Sequence, residues 1–149
     1  MRNKLGYLLV VEDSEEDFDT ILDAAKLACL TNEIHRVTSG DACLAHLQER
    51  DRNSLALPIL LLLDLNTPKG DGRDALRGIV CNDRLRAIPL VVLSASANSR
   101  DVRFCYEHGA NAYHLKPVNH PAHLLILQSI FSYWLTCAVL PFAEGSERE

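Results

Sequence analysis

The 149-residue chain has no Lys- or Arg-rich run, and its formal charge is −5 with an isoelectric point of about 5.6. Non-specific nucleic-acid binding needs a basic face to neutralise phosphates, so no nucleic-acid partner is expected. Its five cysteines, Cys29, Cys43, Cys81, Cys105 and Cys137, are odd in number and include no CxxC pair. A disulfide framework or a zinc site is not expected. The cysteines read as small core or helix-face residues of a cytoplasmic protein in a reducing compartment. The first apolar run, Leu5–Val11, is too short for a signal-peptide core with a cleavage site and reads as a strand. Charge is missing altogether between Lys116 and Glu144. Within that stretch Leu124–Phe142 approaches the length of a membrane span. Gln128, Ser129, Ser132 and Thr136 interrupt it, and Pro121 and Pro141 bracket it, so it reads as a soluble helix covering a sheet rather than a span. There is no internal repeat, linker or low-complexity segment. One domain over 1–149 is expected, with 129–149 as a C-terminal helix and tail extension whose last residues, Glu144–Glu149, are a frayed charged end.

What is present is an alternation of apolar runs and helical patterns, in a chain that is 48% hydrophobic. Leu5–Val11 reads as a buried strand. Ser14 caps a helix whose first turn, Glu15-Glu16-Asp17, suits the positive helix end. Phe18, Ile21, Leu22, Ala25 and Leu30 follow at helical spacing. Glu33–Val37 reads as a second strand, and Ser39-Gly40-Asp41 opens a helix to about Gln48. A polar loop over Asp51–Leu57 precedes the five aliphatic residues Ile59–Leu63, a run suited to a central parallel strand buried on both faces. Pro68-Lys69-Gly70-Asp71-Gly72 is a turn cluster, followed by a helix to about Cys81. Pro89–Leu93 is a strand and Ser99–His108 a helix, with Gly109 as a left-handed cap. Ala112–Leu115 is a fifth strand, and a last helix runs from about Pro121 to Cys137. Five β–α units predict an α/β fold, a doubly wound five-stranded parallel sheet with helices on both faces.

In such sheets active residues lie at the carboxyl ends of the strands. The first strand ends in Glu12-Asp13-Ser14, the third in Asp64-Leu65-Asn66, the fourth in Ser94-Ala95 and the fifth in Lys116-Pro117. Glu12, Asp13 and Asp64 thus converge at one edge. Packed closely they repel, and at least one pKa rises. A divalent cation relieves that repulsion, and Mg²⁺ favours a few carboxylate oxygens with water and a phosphate oxygen. A hard-cation site, a nucleophilic acid, a hydroxyl and a fixed cation are the parts of phosphoryl transfer to a carboxylate. Asp64 is the expected nucleophile. Mg²⁺ and Lys116 would neutralise the equatorial oxygens, and the Ser94 hydroxyl would bond one of them.

Val10-Val11-Glu12-Asp13-Ser14, Leu63-Asp64-Leu65-Asn66-Thr67-Pro68-Lys69-Gly70-Asp71-Gly72, Leu93-Ser94-Ala95 and Tyr113-His114-Leu115-Lys116-Pro117 resemble, in order and spacing, the receiver domain of two-component response regulators. The resemblance covers about Leu5 to Gln128, and it implies the flavodoxin-like sheet of a receiver, with strand order 2-1-3-4-5. It implies that Asp64 is the phosphoacceptor and that Glu12 and Asp13 are the Mg²⁺-binding acid pair, with the Asn66 backbone carbonyl as a further ligand. It also implies that Ser94 is the switch hydroxyl, Lys116 the family's lysine, and Tyr113 the aromatic switch that turns inward. A cis Lys116–Pro117 bond is a further expectation of the resemblance. Thr67 stands where receivers often have Met. The tail around Ser132-Tyr133-Trp134-Leu135-Thr136 and the loop Arg50–Leu57 are similar to the small response regulators that serve cyanobacterial phytochromes. A sensor histidine kinase of phytochrome type is the implied donor.

No output module follows the receiver pattern, so signalling is expected to pass through contacts with a downstream protein. The uncharged last helix carries Leu124, Leu127, Phe131, Trp134 and Ala138 on one face and Ile126, Ile130, Tyr133 and Cys137 on another. One face must cover the sheet. A homodimer interface is expected here, at Leu124, Leu127, Phe131 and Trp134. His120 and His123 are three apart and could share a helix face, but they read more simply as structural. Two other classes compete. A pseudo-receiver would keep the fold and never accept phosphate. A haloacid-dehalogenase-type phosphatase would use Asp64 as nucleophile, but Asn66 stands where its general acid belongs and cannot serve as one. A flavin-binding sheet protein is disfavoured, because no Ser/Thr/Gly-rich phosphate loop follows the first strand.

Overall fold

Aliphatic strands and capped helices alternate along the chain in the computed structural model, which describes residues 5–67 and 71–141. The strands are β1 (Leu8–Val11), β2 (Ile34–Val37), β3 (Leu60–Asp64), β4 (Leu90–Ser94) and β5 (Ala112–Leu115). The helices are α1 (Glu15–Leu27), α2 (Gly40–Arg52), α3 (Gly72–Val80), α4 (Ser99–Glu107) and α5 (His120–Ser132). A 3₁₀ turn at Leu85–Ala87 precedes β4, and α5 passes into a π-type turn, Tyr133–Cys137. All strands run parallel in the order β2-β1-β3-β4-β5, the order that the receiver resemblance implies.

Each helix start is set by a side chain that accepts from its first turn. Ser14, Ser39, Asp71, Asn98 and Asn119 accept from the backbone N–H of Asp17, Ala42, Arg73, Arg100 and Ala122. These caps satisfy amide donors that the helix itself leaves unpaired. They also fix where each helix leaves the carboxyl end of the preceding strand.

The central strands are buried on both faces, and successive residues feed opposite cores. Leu9, Val11, Leu61, Leu63 and Val92 pack with Cys43 and Leu47 of α2 and Leu76 and Ile79 of α3. Leu8, Val10, Leu60, Leu62, Val91 and Leu93 pack with Ile21 and Ala24 of α1 and with Leu127, Ile130 and Phe131 of α5. At the start of α3 the chain approaches closely. A Cβ on Gly72 would lie 2.9 Å from Leu65 Cα and 3.1 Å from the Asp64 carbonyl, so only glycine lets α3 begin against the end of β3.

Several expectations are corrected. Helix α2 continues to Arg52, beyond the expected end near Gln48, and shortens the loop before β3. The Asn53 N–H still bonds to the Glu49 carbonyl as the helix ends. No cis peptide bond occurs among the described residues, so Lys116–Pro117 is trans. Trans is the form that an X–Pro amide intrinsically prefers by about 0.5–1 kcal/mol. Leu127 and Phe131 are fully buried and cover the sheet, so they are core residues and not interface residues. Leu124 and Trp134 are partly buried against the same core, and the exposed large apolar side chains of this region are Leu125, at 64%, Tyr133, at 56%, and Val139, at 90%. All five cysteines are free, with Cys43 and Cys105 buried and Cys29, Cys81 and Cys137 exposed. No helix among the described residues is long and apolar enough to cross a membrane. Pro68, Lys69 and Gly70 of the expected turn cluster, and the tail Glu144–Glu149, lie outside the described residues.

Because Phe131 belongs to the core, Phe131→Ala will lower unfolding stability by about 3–5 kcal/mol. The change will be independent of protein concentration. Urea unfolding at two concentrations tenfold apart measures both.

Candidate functional site

The strand ends bring the chemistry together. Glu12 follows β1 directly, and its N–H donates to the Val37 carbonyl of β2 at 3.0 Å. Asp64 is the last residue of β3 and Ser94 the last of β4. The backbone N–H of Lys116 donates to the Ser94 carbonyl at 2.8 Å, so β5 delivers the lysine beside the end of β4. Parallel pairing of neighbouring strands therefore aligns these residues, and no long-range loop is needed.

Glu12, Asp13 and Asp64 form the one cluster of possible metal-holding acids among the described residues, with ligand atoms within 4.8 Å of one another. Glu12 is 3% exposed and Asp64 8%, while Asp13 faces solvent. The ammonium of Lys116 stands 2.9 Å from Glu12 Oε1, 3.1 Å from Asp17 Oδ2 and 3.2 Å from Asp64 Oδ2. Asp64 Oδ1 accepts from the Asn66 N–H at 3.2 Å. The Asn66 side-chain amide reaches Ser94 Oγ at 3.4 Å, and Ser94 Oγ also accepts from the Ser96 N–H at 3.1 Å. Tyr113 is half-buried, and its hydroxyl donates to the Ser96 carbonyl at 2.7 Å. Thr67 Oγ1 accepts from the Gly40 N–H and ties the loop after β3 to the start of α2.

Burial pushes the Glu12 carboxyl up to about 7, against the pull of Lys116 and with added repulsion from Asp64. Burial works against the Lys116 charge, but Asp64, Glu12 and Asp17 together more than offset it and hold that pKa above its ordinary value. One ammonium thus faces several carboxylates, and negative charge is left over. A hard divalent cation with oxygen ligands fits that donor set, with Asp13 on the open side.

Glu12, Asp13, Asp64, Asn66, Ser94 and Lys116 are brought together as their strand-end positions required. The sequence reading missed four residues. Asp17 was read only as helix-start charge. It stands three residues past the capping Ser14, in the first helical turn after the Glu12-Asp13 pair, and that nearness was the available signal. Ser96, Asp101 and Arg73 form a chain of contacts beside the site. Ser96 Oγ donates to Asp101 Oδ2 at 2.6 Å, Arg73 bonds Asp101 Oδ1 at 2.6 Å, and Arg73 also bonds Asp71 at 3.0 Å. The Ser96 and Arg73 bonds hold the Asp101 carboxyl below its usual value. No sequence spacing reveals this, because its members come from two separate segments, the starts of α3 and α4.

The response regulator receiver domain family matches residues 8–128 of the chain. The chain belongs to that family. It is 38% identical over 137 residues to response regulator Rcp1 of Synechocystis sp., covering 91% of this chain and 93% of Rcp1. The receiver also resembles the crystal structure of the Mn²⁺-bound form of Rcp1, with TM-score 0.84 and 37% identity over 93% of this chain and 99% of that one. It resembles the phosphorylated cyanobacterial phytochrome response regulator RcpA with TM-score 0.85 and 34% identity, over 94% and 99% of the two chains. Receiver domains bind divalent metal, and this receiver carries the acid cluster for it.

The raised Glu12 pKa sets a pH dependence. The folded protein binds this proton more tightly than the unfolded chain does, so the contribution of Glu12 to stability falls as pH rises from 4.5 through about 7. His46, His114 and His123, held by burial below the usual histidine value, pull the total curve the other way. The measurement is therefore a difference. With a chelator present, the stability of wild type relative to Glu12→Gln will decline between pH 5 and pH 8 in urea titrations. A divalent cation added at pH 8 will recover more stability in wild type than in the variant.

Proposed function

We propose that this receiver is a Mg²⁺-dependent phosphorylation switch whose phosphoacceptor is Asp64. The observation that carries the reading is the placement of the Asp64 carboxylate. It lies at the end of the central strand, inside the acid cluster and 3.2 Å from the Lys116 ammonium. The Glu12, Asp13 and Asp64 side chains, with the Asn66 backbone carbonyl, would hold the Mg²⁺. Bound there, the ion supplies charge neutralisation for the transferring phosphoryl group. An Asp64 oxygen attacks phosphorus, the P–N bond of a phosphohistidine breaks, and the electron pair returns to the imidazole. Lys116 bonds one phosphoryl oxygen and Ser94 another.

The switch follows from bonds already in place. Ser94 Oγ, drawn to the phosphoryl group, gives up the Ser96 N–H. Tyr113 already packs against the core and is held by the carbonyl of that same residue, so its setting changes as the segment moves. The surface of α4, β5 and α5 changes with it. Output is a protein contact at that surface rather than DNA binding, and two copies of the receiver associate there, through the exposed Leu125 and Tyr133 beside Leu124 and Trp134. The similarity to Rcp1 and RcpA supports a phytochrome-type histidine kinase as the donor, acting in the cytoplasm.

The test is intact mass spectrometry after incubation with Mg²⁺ and acetyl phosphate. Wild type will gain one phosphoryl group and Asp64→Asn none. No gain in wild type would favour a pseudo-receiver, and continuous phosphate release over many turnovers would favour a phosphatase.

A further inference from the structure

We propose that Asp17 is a positioning residue for phosphoryl transfer, the fixed anchor that holds Lys116 in register while the other two carboxylates change partners. The inference rests on Asp64 being the phosphoacceptor. Its starting point is the valence of the lysine. An ammonium has three N–H groups, and here Glu12, Asp17 and Asp64 each take one, at 2.9, 3.1 and 3.2 Å. These acids are not equivalent. Glu12 and Asp64 belong to the metal-holding cluster, and Asp17 does not. A cation at that cluster draws on Glu12 and Asp64, and phosphorylation converts the Asp64 carboxylate into an acyl phosphate. Through both events Asp17 alone keeps a carboxylate committed to Lys116.

Asp17 is built to stay in place. It is the third residue of α1, and its backbone N–H donates to the capping Ser14 Oγ at 3.2 Å. The positive end of the helix favours its negative charge. Helix-end charge alone does not explain the contact, because Glu15 and Glu16 supply such charge in the same turn. Glu15 pairs with Arg36 at 2.6 Å, and Glu16 is exposed. Asp17 is the acid of that turn that reaches Lys116. The need for an anchor is physical. Lysine is a point charge on a flexible four-carbon stem, and ordering it costs rotamer entropy. A displacement of about 1 Å in a group that must meet the reacting phosphoryl can cost up to about 100-fold in rate.

The test compares wild type with Asp17→Asn, Asp17→Glu and Glu16→Gln, at saturating Mg²⁺ with acetyl phosphate as donor. Asp17→Asn is expected to slow phosphorylation about tenfold, by loss of the charged anchor with shape retained. Asp17→Glu is expected to recover most of the rate, and Glu16→Gln, which removes equal charge from the same turn, to leave it unchanged. Mg²⁺ affinity is expected to stay within about twofold throughout. A readout independent of transfer is the ¹⁵N-detected Lys116 ammonium in metal-free protein. Its slowed proton exchange in wild type will be lost in Asp17→Asn and kept in Glu16→Gln. A wild type that takes up phosphate while Asp17→Asn matches it within twofold, with Lys116 exchange unaltered, overturns the anchor and leaves the phosphoacceptor standing. A slowing shared equally by Glu16→Gln overturns it too, since helix-end charge would then suffice. A wild type that takes up no phosphate overturns both.

Discussion

The ammonium of Lys116 is shared by Glu12, Asp17 and Asp64, from the end of β1, the first turn of α1 and the end of β3. Two carboxylates at the spacing of the acid cluster repel by about 3–4 kcal/mol at an effective dielectric of about 20. Such crowding persists only where a cation sits among them. The lysine is the resident cation, and it does not balance the set. Burial, with added repulsion from Asp64, raises the Glu12 pKa to about 7. The same imbalance gives the receiver its affinity for a second, divalent charge. Proton, lysine and metal thus compete for one set of oxygens, and the state of the site is decided by which of them is present.

That crowding requires a scaffold that cannot yield. The strands supply it through burial on both faces, with Leu61, Leu62 and Leu63 immediately before Asp64 all out of contact with water or nearly so. A slip of β3 by one residue would exchange its two buried faces and move Asp64 away from Lys116. The aliphatic run therefore fixes the acid's position as well as the core. Gly72 serves the same end on the other side of the loop. It lets α3 start against the Leu65 and Asp64 backbone, where its N–H donates to the Leu65 carbonyl at 3.1 Å.

The strand-end residues were legible in the sequence because a parallel sheet converts sequence position into spatial position. Glu12, Asp64 and Ser94 each directly follow or end an aliphatic run, Lys116 directly follows the short strand Ala112–Leu115, and parallel neighbours bring those ends together. The faces of α5 were not legible. His120–Ser132 is apolar nearly all round, so periodicity cannot distinguish the side that meets the sheet from the side that meets solvent. The structure settles it by packing Leu127, Ile130 and Phe131 inward. Asp17 was obscured for a different reason. Its residue type already had an adequate explanation as helix-start charge, and only side-chain direction reveals its second partner.

Ser96 carries the remaining logic of the site. Its N–H is bonded to the Ser94 hydroxyl, its carbonyl accepts from the Tyr113 hydroxyl, and its own hydroxyl is committed to Asp101, which Arg73 holds in turn. Hydroxyl and aromatic are therefore tied to the two ends of a single residue. Ser94 Oγ and the Tyr113 hydroxyl share one neighbour, each bonded to a different backbone atom of it. The link is two hydrogen bonds long and requires no rearrangement of the sheet. The Asp101–Arg73 pair secures the same residue to the starts of α4 and α3. These restraints are local, since they join Ser94, Tyr113, Asp101 and Arg73 through one residue.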